Sequence, residues 1–328
     1  MTDLLSIFIL CLCVITAIGA MQARNLFASV MLMGIFSLLM AAEFILLDAP
    51  DVALTEAAVG AGISTVLLLS ALSLTADEES GRAMRPGLAL VVVMITAGVI
   101  LYATLDKPAL GDPNAPVHQH MSSEYFDMTR EQMNIPNVVT AILASFRGYD
   151  TLGEVIVVLT AAIGVLFLIG PDSPVGQKNP KRGIPNLIGL KHHLPLRIVG
   201  KVAIPFIILF AFYVQFHGEY SPGGGFQAGA LFAAAIILYG LMEGRSAAAA
   251  VIPTGVLRAM AAGGALIFGG AGVATLFLGG NFLEYNVLAS EPVRAHQVGI
   301  IVIEAGVGIT VAGALLAVYH AFAARGRL

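Results

Sequence analysis

The chain has 328 residues, of which 58% are hydrophobic and only 12% charged, and its formal net charge is −4. A soluble domain carries about 25% charged residues, so there is too little polar surface here to coat a soluble globule, which excludes an ordinary cytosolic enzyme, a secreted disulfide scaffold and a disordered chain. The weakly acidic balance gives no sign of a nucleic-acid partner, and the remaining class is a polytopic membrane protein embedded in the lipid bilayer.

A spanning helix needs about 20 mostly apolar residues. Nine segments meet that need, near 4–22, 26–47, 52–75, 88–105, 152–170, 198–216, 226–242, 257–278 and 298–322. The expected fold is therefore all-α, a polytopic transmembrane helical bundle of about nine spanning helices; the long continuous apolar runs do not alternate as barrel strands do. The first segment has Asp3 in place of a basic leader and no small-residue cleavage site before the second, so it is expected to stay as a span rather than leave as a signal peptide. Its cysteines, Cys11 and Cys13, point to different helix faces and are expected to pack rather than pair.

Nine spans place the termini on opposite sides. One face collects Arg24, Arg82, Arg85, Lys178, Lys181, Arg182, Lys191, Arg197, Lys201, Arg245, Arg258, Arg325 and Arg327, and the other only Lys107, Arg130, Arg147 and Arg294, which together are all 17 basic residues. The positive-inside rule then sets the N-terminus outside and the C-terminus in the cytoplasm of a cell (inner) membrane protein. Two polar segments divide the chain: 106–135, expected outside, and 171–197, a cytoplasmic linker rich in Pro, Gly, Lys and Arg. The linker separates a five-helix part, 1–170, from a four-helix part, 198–328. The apolar stretch 136–146 rises only about 16 Å as a helix, too short to span. It reads as an interfacial or re-entrant helix with Pro136 near its start, or as a piece joined to the fifth span through a break at Arg147-Gly148.

A carboxylate in hydrocarbon costs about 2.5–3.5 kcal/mol on insertion scales, so each one needs a partner, water or a function. Glu43 and Glu56 flank the turn Asp48-Ala49-Pro50-Asp51 and each sits about 6 Å inside the same outer edge. Glu154 lies just inside the outer end of the fifth span, and Glu304 about 9 Å into the ninth. Either these four cap or snorkel at helix ends, or they line a hydrated path for a cation or proton. Lys201, near the inner end of the sixth span, either snorkels or relays protons. His118 and His120 in the outer loop lack a third ligand, so no metal site is expected. Glu56 with Gly60 and Glu304 with Gly308 each set a carboxylate beside a notch on one helix face, where another helix can approach closely. The run Pro222-Gly223-Gly224-Gly225-Phe226 has no phosphate-loop lysine and follows a span, so it reads as a turn or broken-helix element.

That run, after the helix end at His217 and before Gly229, resembles the signature of the B subunit (MrpB) of multisubunit Mrp-type Na+/H+ antiporters. Gly299 through Glu304, Gly306 and Gly308 look like that subunit's last helix. Pro50-Asp51-Val52-Ala53-Leu54-Thr55-Glu56 resembles the DUF4040 region at the C-terminal end of the large A subunit (MrpA), and Asn137-Val138-Val139-Thr140 with Phe146-Arg147-Gly148-Tyr149-Asp150-Thr151-Leu152-Gly153-Glu154 is similar to the end of that region. The equivalent pieces of membrane-bound hydrogenases are MbhD, MbhE and MbhF. The resemblance covers nearly the whole chain. It implies a tail of MrpA joined to MrpB, an accessory component of an Mrp-type cation/proton antiporter that moves Na+ and H+, needs no cofactor, and works with other subunits including a large antiporter-like one. In the family MrpA begins with a many-helix antiporter-like domain that this sequence does not contain, so the chain is expected to be inert alone. The acidic ion path proposed for the MrpA tail maps to Glu56 and Glu154. Where many MrpA chains carry a further acid, this sequence has Val59-Gly60-Ala61-Gly62, closer to the hydrogenase version. The alternatives are the ion-translocating arm of a membrane-bound redox enzyme and a structural scaffold.

Overall fold

The computed structural model describes residues 2–72, 75, 78, 86–109, 111–169 and 194–325. Most of the expected linker 171–197 lies outside the described residues, as do Arg82, Arg85, Lys178, Lys181, Arg182, Lys191 and Arg327 of the basic group.

Among the described residues, nine helices are long and apolar enough to cross a membrane, and each coincides with an expected span. The first two are α1 (Thr2–Gln22) and α2 (Leu26–Leu46). Asn25 starts α2 by accepting the Ala28 N–H at 3.1 Å, which satisfies one of the orphan donors of the first turn. The third span, Pro50–Leu72, is built from α3 (Pro50–Thr55), a π-helical stretch (Glu56–Ser64) and α4 (Thr65–Leu72). Gly60 and Gly62 fall inside that stretch; glycine weakens an α-helical ladder by about 1 kcal/mol per residue, and the ladder widens where it is weakest.

The fourth span, α5 (Pro86–Thr104), is followed by a series of short pieces: α6 (Pro116–Gln119), α7 (Ser122–Met128), a π turn at Thr129–Met133, α8 (Val138–Ala141) and a second π turn at Ile142–Phe146. The short helix expected over 136–146 is thus present, capped by Asn137, with Pro136 one residue outside it. It runs straight into the fifth span, α9 (Gly148–Ile169), through a break at Arg147. The two sequence readings of this stretch therefore meet in one element. The C-terminal part holds α10 (Leu194–His217), α11 (Gly225–Glu243), the short α12 (Arg245–Val251), α13 (Thr254–Phe277), a 3-10 turn at Tyr285–Val287 and α14 (Pro292–Arg325).

At 34 residues α14 is the longest helix among the described residues, about 51 Å, and it forms the axis of the bundle. α11, α13 and α9 pack around it, and the third span reaches both α11 and α14. The core runs along this axis through Ala230, Ile237, Leu257, Phe268, Ile300, Ile303 and Leu316. Close approach is possible because side chains are missing where backbones meet: a Cβ on Gly229 would stand 2.6 Å from the Gly308 carbonyl. The N-terminal helices pack pairwise, α1 on α2 and α2 on the third span. Within α1, Cys13 is buried and Cys11 exposed, as their opposite faces required.

Alternation through the nine candidate spans puts Asp51, Asn137, Gly218 and Tyr285 at span ends on one side and Arg24, Arg197 and Arg245 at span ends on the other. Hydrogen bonds join the loops of the first face directly. Asn137 Nδ2 donates to Asp51 Oδ1 at 3.3 Å and to the carbonyls of Gly218 and Ser221, and Tyr285 Oη donates to the Ala144 carbonyl at 2.8 Å.

Candidate ion-path site

The polar groups concentrate where the α10–α11 turn meets α3, α8 and α14. Asn137 organises this place. Its Oδ1 caps α8 by accepting the N–H groups of Val139 and Thr140, and its own N–H donates to the Glu219 carbonyl at 3.0 Å. Thr140 Oγ1 donates to the Gly218 carbonyl at 2.7 Å. The Gly-rich turn is thereby held from outside. Gly223 N–H reaches Asp51 Oδ1 at 3.4 Å, and Gly224 N–H reaches the Val214 carbonyl at 3.2 Å. Gly224 adopts φ +126°, which a side chain would oppose. A side chain at Gly225 would overlap the Glu304 backbone carbonyl, so the first turn of α11 lies directly on α14. Of the motif residues, Pro50 and Asp51 open α3, while Pro222, Gly223, Gly224, Gly225 and Phe226 form the turn and start α11.

This contact fixes the azimuth of Glu304. Its Oε1 lies 3.4 Å from where a Cβ on Gly224 would stand, with Gln227 Oε1 at 3.5 Å from the same point. Gln227 is buried, and its Nε2 donates to Thr55 Oγ1 at 2.8 Å. Thr55 is the residue before Glu56, whose carboxylate folds back over Gly60 beside Ser37 Oγ. The notch expected at Gly60 is therefore filled from within the chain, by Glu56 itself and α2. The notch at Gly308 is likewise filled, by Gln215 Oε1 and Gly225. A seam of polar groups thus runs from Thr55 through Gln227 to Glu304 and joins the two parts of the chain, while Glu56, next to Thr55 in sequence, turns its carboxylate toward α2.

The other expected residues lie apart from the seam. Glu43 is 3% exposed between α1 and α2; its Oε1 accepts from Ser6 Oγ, and its Oε2 is buried with no partner among the described residues. Glu154 is exposed on α9, facing away from the bundle. Lys201 lies at the opposite face and forms an ion pair with Glu243 Oε1 at 2.8 Å. The same carboxylate receives Arg197 in a forked pair, Nε to Oε1 at 2.7 Å and Nη2 to Oε2 at 2.8 Å. His118 and His120 are both exposed.

Sequence reasoning missed Glu219, Gln227, Tyr285 and His296. Glu219 sits in the turn after His217, so a search for carboxylates inside spans passes over it; its side chain is buried, and burial pushes its carboxyl up from the ordinary range. Tyr285 lies under Gly299 with its ring edge-on to His296, and burial together with the nearby Glu304 carboxylate raises its phenol well above the ordinary range. His296 Nδ1 lies 3.3 Å from Ser145 Oγ. An amide at position 227 carries no charge, and nothing in a single sequence marks it. Chemically, the arrangement offers oxygen ligands and carboxylates in a partly dry setting, with no lysine or arginine ion-paired to either Glu56 or Glu304 among the described residues.

Three family models match the chain in succession: MbhD, a component of MBH, over residues 11–77; MbhE, a second MBH component, over 85–175; and a domain related to the MnhB subunit of Na+/H+ antiporter over 195–317. A probable K+/H+ antiporter A/B subunit of Rhizobium meliloti is 27% identical over 94% of this chain, which spans 33% of that relative's length. A putative antiporter subunit mnhB2 of Staphylococcus aureus is 31% identical; the match covers 38% of this chain and 89% of the relative. Among solved structures, the Mrp complex from Dietzia sp. DQ12-45-1b shares the fold with a TM-score of 0.77 at 23% identity, over 96% of this chain and 34% of the matched one.

Proposed function

Because the chain belongs to the Mrp-type antiporter family, as an MnhB-related part preceded by the tail region of MrpA, we propose that it serves a monovalent cation/proton antiporter complex by carrying part of the ion route across the junction between those two parts. The transported pair is Na+ or a similar cation against H+. The partners are the remaining subunits of the complex, including a large antiporter-like one. The observation that carries this reading is the junction itself: the MrpA-like half supplies Thr55, with Glu56 next in sequence, the MrpB-like half supplies Gln227 beside Glu304, and one hydrogen bond of 2.8 Å between Gln227 and Thr55 links the halves. A scaffold would have no need to place two intramembrane carboxylates on the elements that meet at this junction.

The matches to MbhD and MbhE favour a second reading, in which the same elements form the ion-translocating arm of a membrane-bound redox complex. The seam has the same role in both. The basic residues of the Arg24 face orient the chain with that face in the cytoplasm and the N-terminus outside.

The test is cation-induced dissipation of a pH gradient in inverted vesicles carrying the whole complex. Glu56→Gln keeps size and hydrogen-bonding reach but removes the titratable charge. Transport falls at least about tenfold, below the hundredfold or more that a proton-transferring group commonly contributes, while native-gel assembly is unchanged. Normal transport in this variant refutes the route, and parallel loss of assembly and transport returns the scaffold reading.

A further inference from the structure

Glu219 has no part in the seam, yet its surroundings are unusual. The residue is 9% exposed, and its Oε1 is buried with no hydrogen-bond partner among the described residues. Its position is fixed by backbone, through the Asn137 N–H on its carbonyl, and not by anything its carboxylate does. A carboxylate oxygen buried with no donor is costly unless it is neutralised by a proton or a cation.

Glu304 reaches the same turn: Gly218, the residue before Glu219, packs against Gly224, and Glu304 Oε1 lies 3.4 Å from where a Cβ on Gly224 would stand. No lysine or arginine pairs with either carboxylate among the described residues. The third group at this place is Gln227, and its orientation is settled by hydrogen-bond logic. Thr55 Oγ1 spends its proton on the Asp51 carbonyl at 2.9 Å, so it can only accept from Gln227, which must present its NH2 there and its oxygen toward Gly224 and Glu304. The missing Cβ of Gly224 leaves a small space bordered by Glu304 Oε1 and Gln227 Oε1. The other titratable groups nearby are Tyr285, His296 and Asp51, and, in Glu219's own turn, Tyr220 and His217, whose ring packs against Tyr213 and Tyr220. Of these, Tyr285 is spent on the Ala144 carbonyl, His296 meets Ser145, and Asp51 Oδ1 already accepts from Asn137 and Gly223.

We propose that Glu219 and Glu304, with Gln227 Oε1 as a neutral ligand, form a site that holds either one proton or one monovalent cation of the Na+ class. The exchange balances: the pair with a shared proton plus a cation gives the pair with the cation bound plus a proton released, at constant net charge. Hard cations take oxygen ligands, and the few oxygens here fall short of the six to eight a Ca2+ site needs. The inference rests on the ion-route reading in that Glu304 belongs to both.

The test is difference infrared spectroscopy of the purified complex near neutral pH, comparing NaCl or KCl with choline chloride. Adding the small cation should erase the carbonyl stretch of a protonated carboxyl and release a proton to the medium. Glu219→Gln should abolish both signals with assembly unchanged, and Glu304→Gln likewise; Glu219 carries the test alone if the helix-packed Glu304 variant fails to assemble. No carboxyl response to either cation in the native complex overturns the site, as does a full response in Glu219→Gln. If Glu56→Gln stops transport while the native complex shows no such band, the site fails and the route stands; if the band responds but Glu56→Gln transports normally, the route fails and the site stands.

Discussion

α5 and α14 are both apolar helices long enough to span a bilayer, and they have opposite fates. From Gly87 to Thr104 every residue of α5 except Ala97 is exposed, and Gly98 has nothing within 4 Å of where a Cβ would stand. α14 is buried along most of its length and touches α9, α11 and α13. Hydropathy therefore reports membrane residence and not burial in protein. Lipid is as apolar as leucine, so helices associate there through close packing and polar contacts. α14 offers small residues, Gly306, Gly308 and Gly313, wherever a neighbouring backbone crosses, whereas the exposed flank of α5 is a run of Val91, Val92, Val93, Met94 and Ile95.

The largest effect follows from this contrast. Gly229→Leu must force α11 off α14 and should destabilise the protein by about 3 kcal/mol, at the upper end of ordinary overpacking costs. Gly98→Leu on α5 should leave thermal unfolding in detergent unchanged. Equal melting shifts in the two variants would erase the distinction between the regions.

Asn137→Ala attacks the junction between the two parts. It removes a helix cap and three side-chain donor contacts at once, and a loss of about 2 kcal/mol is expected. Thermal melting reads it, and limited proteolysis should show the Gly-rich turn opening first.

The smallest effect is pH-dependent. Burial raises the Glu219 carboxyl, so the unfolded chain binds fewer protons than the folded one between the ordinary and the raised value. Stability contributed by the native Glu219 therefore falls as pH rises through that window. In choline buffer, Glu219→Gln should melt above the native protein at pH 8 and level with it at pH 4. A variant that melts lower at pH 8 would show that the buried carboxylate has a donor and is not penalised.

Much of this was legible in the sequence. All nine spans are, because twenty apolar residues have few other uses in a chain so poor in charge. Glu56 and Glu304 are legible as carboxylates where carboxylates are costly, and Lys201 as a span-end cation, although its partner Glu243 sits one residue past the expected seventh span. Depth follows from position along a helix; azimuth does not, because it depends on which helices become neighbours. Hence the sequence alone cannot separate Glu304, turned to the Gly-rich turn, from Glu154, turned away from the bundle, or from Glu43, closed off against Ser6. Gln227 and Glu219 were invisible for simpler reasons: one has no charge and the other lies in a turn where an acid is ordinary.

Glu56 and Glu304 come from the two parts of the chain, and the proposed function has them serve one route. Two carboxylates in series on one route should be non-additive, whereas independent sites add in free energy. Cation-driven pH-gradient dissipation, measured for Glu56→Gln, Glu304→Gln and the double variant in the assembled complex, separates these cases. With a single route the double variant transports no worse than the more impaired single one. Rate losses that multiply in the double variant would mean that the two carboxylates act independently and that no common route joins them.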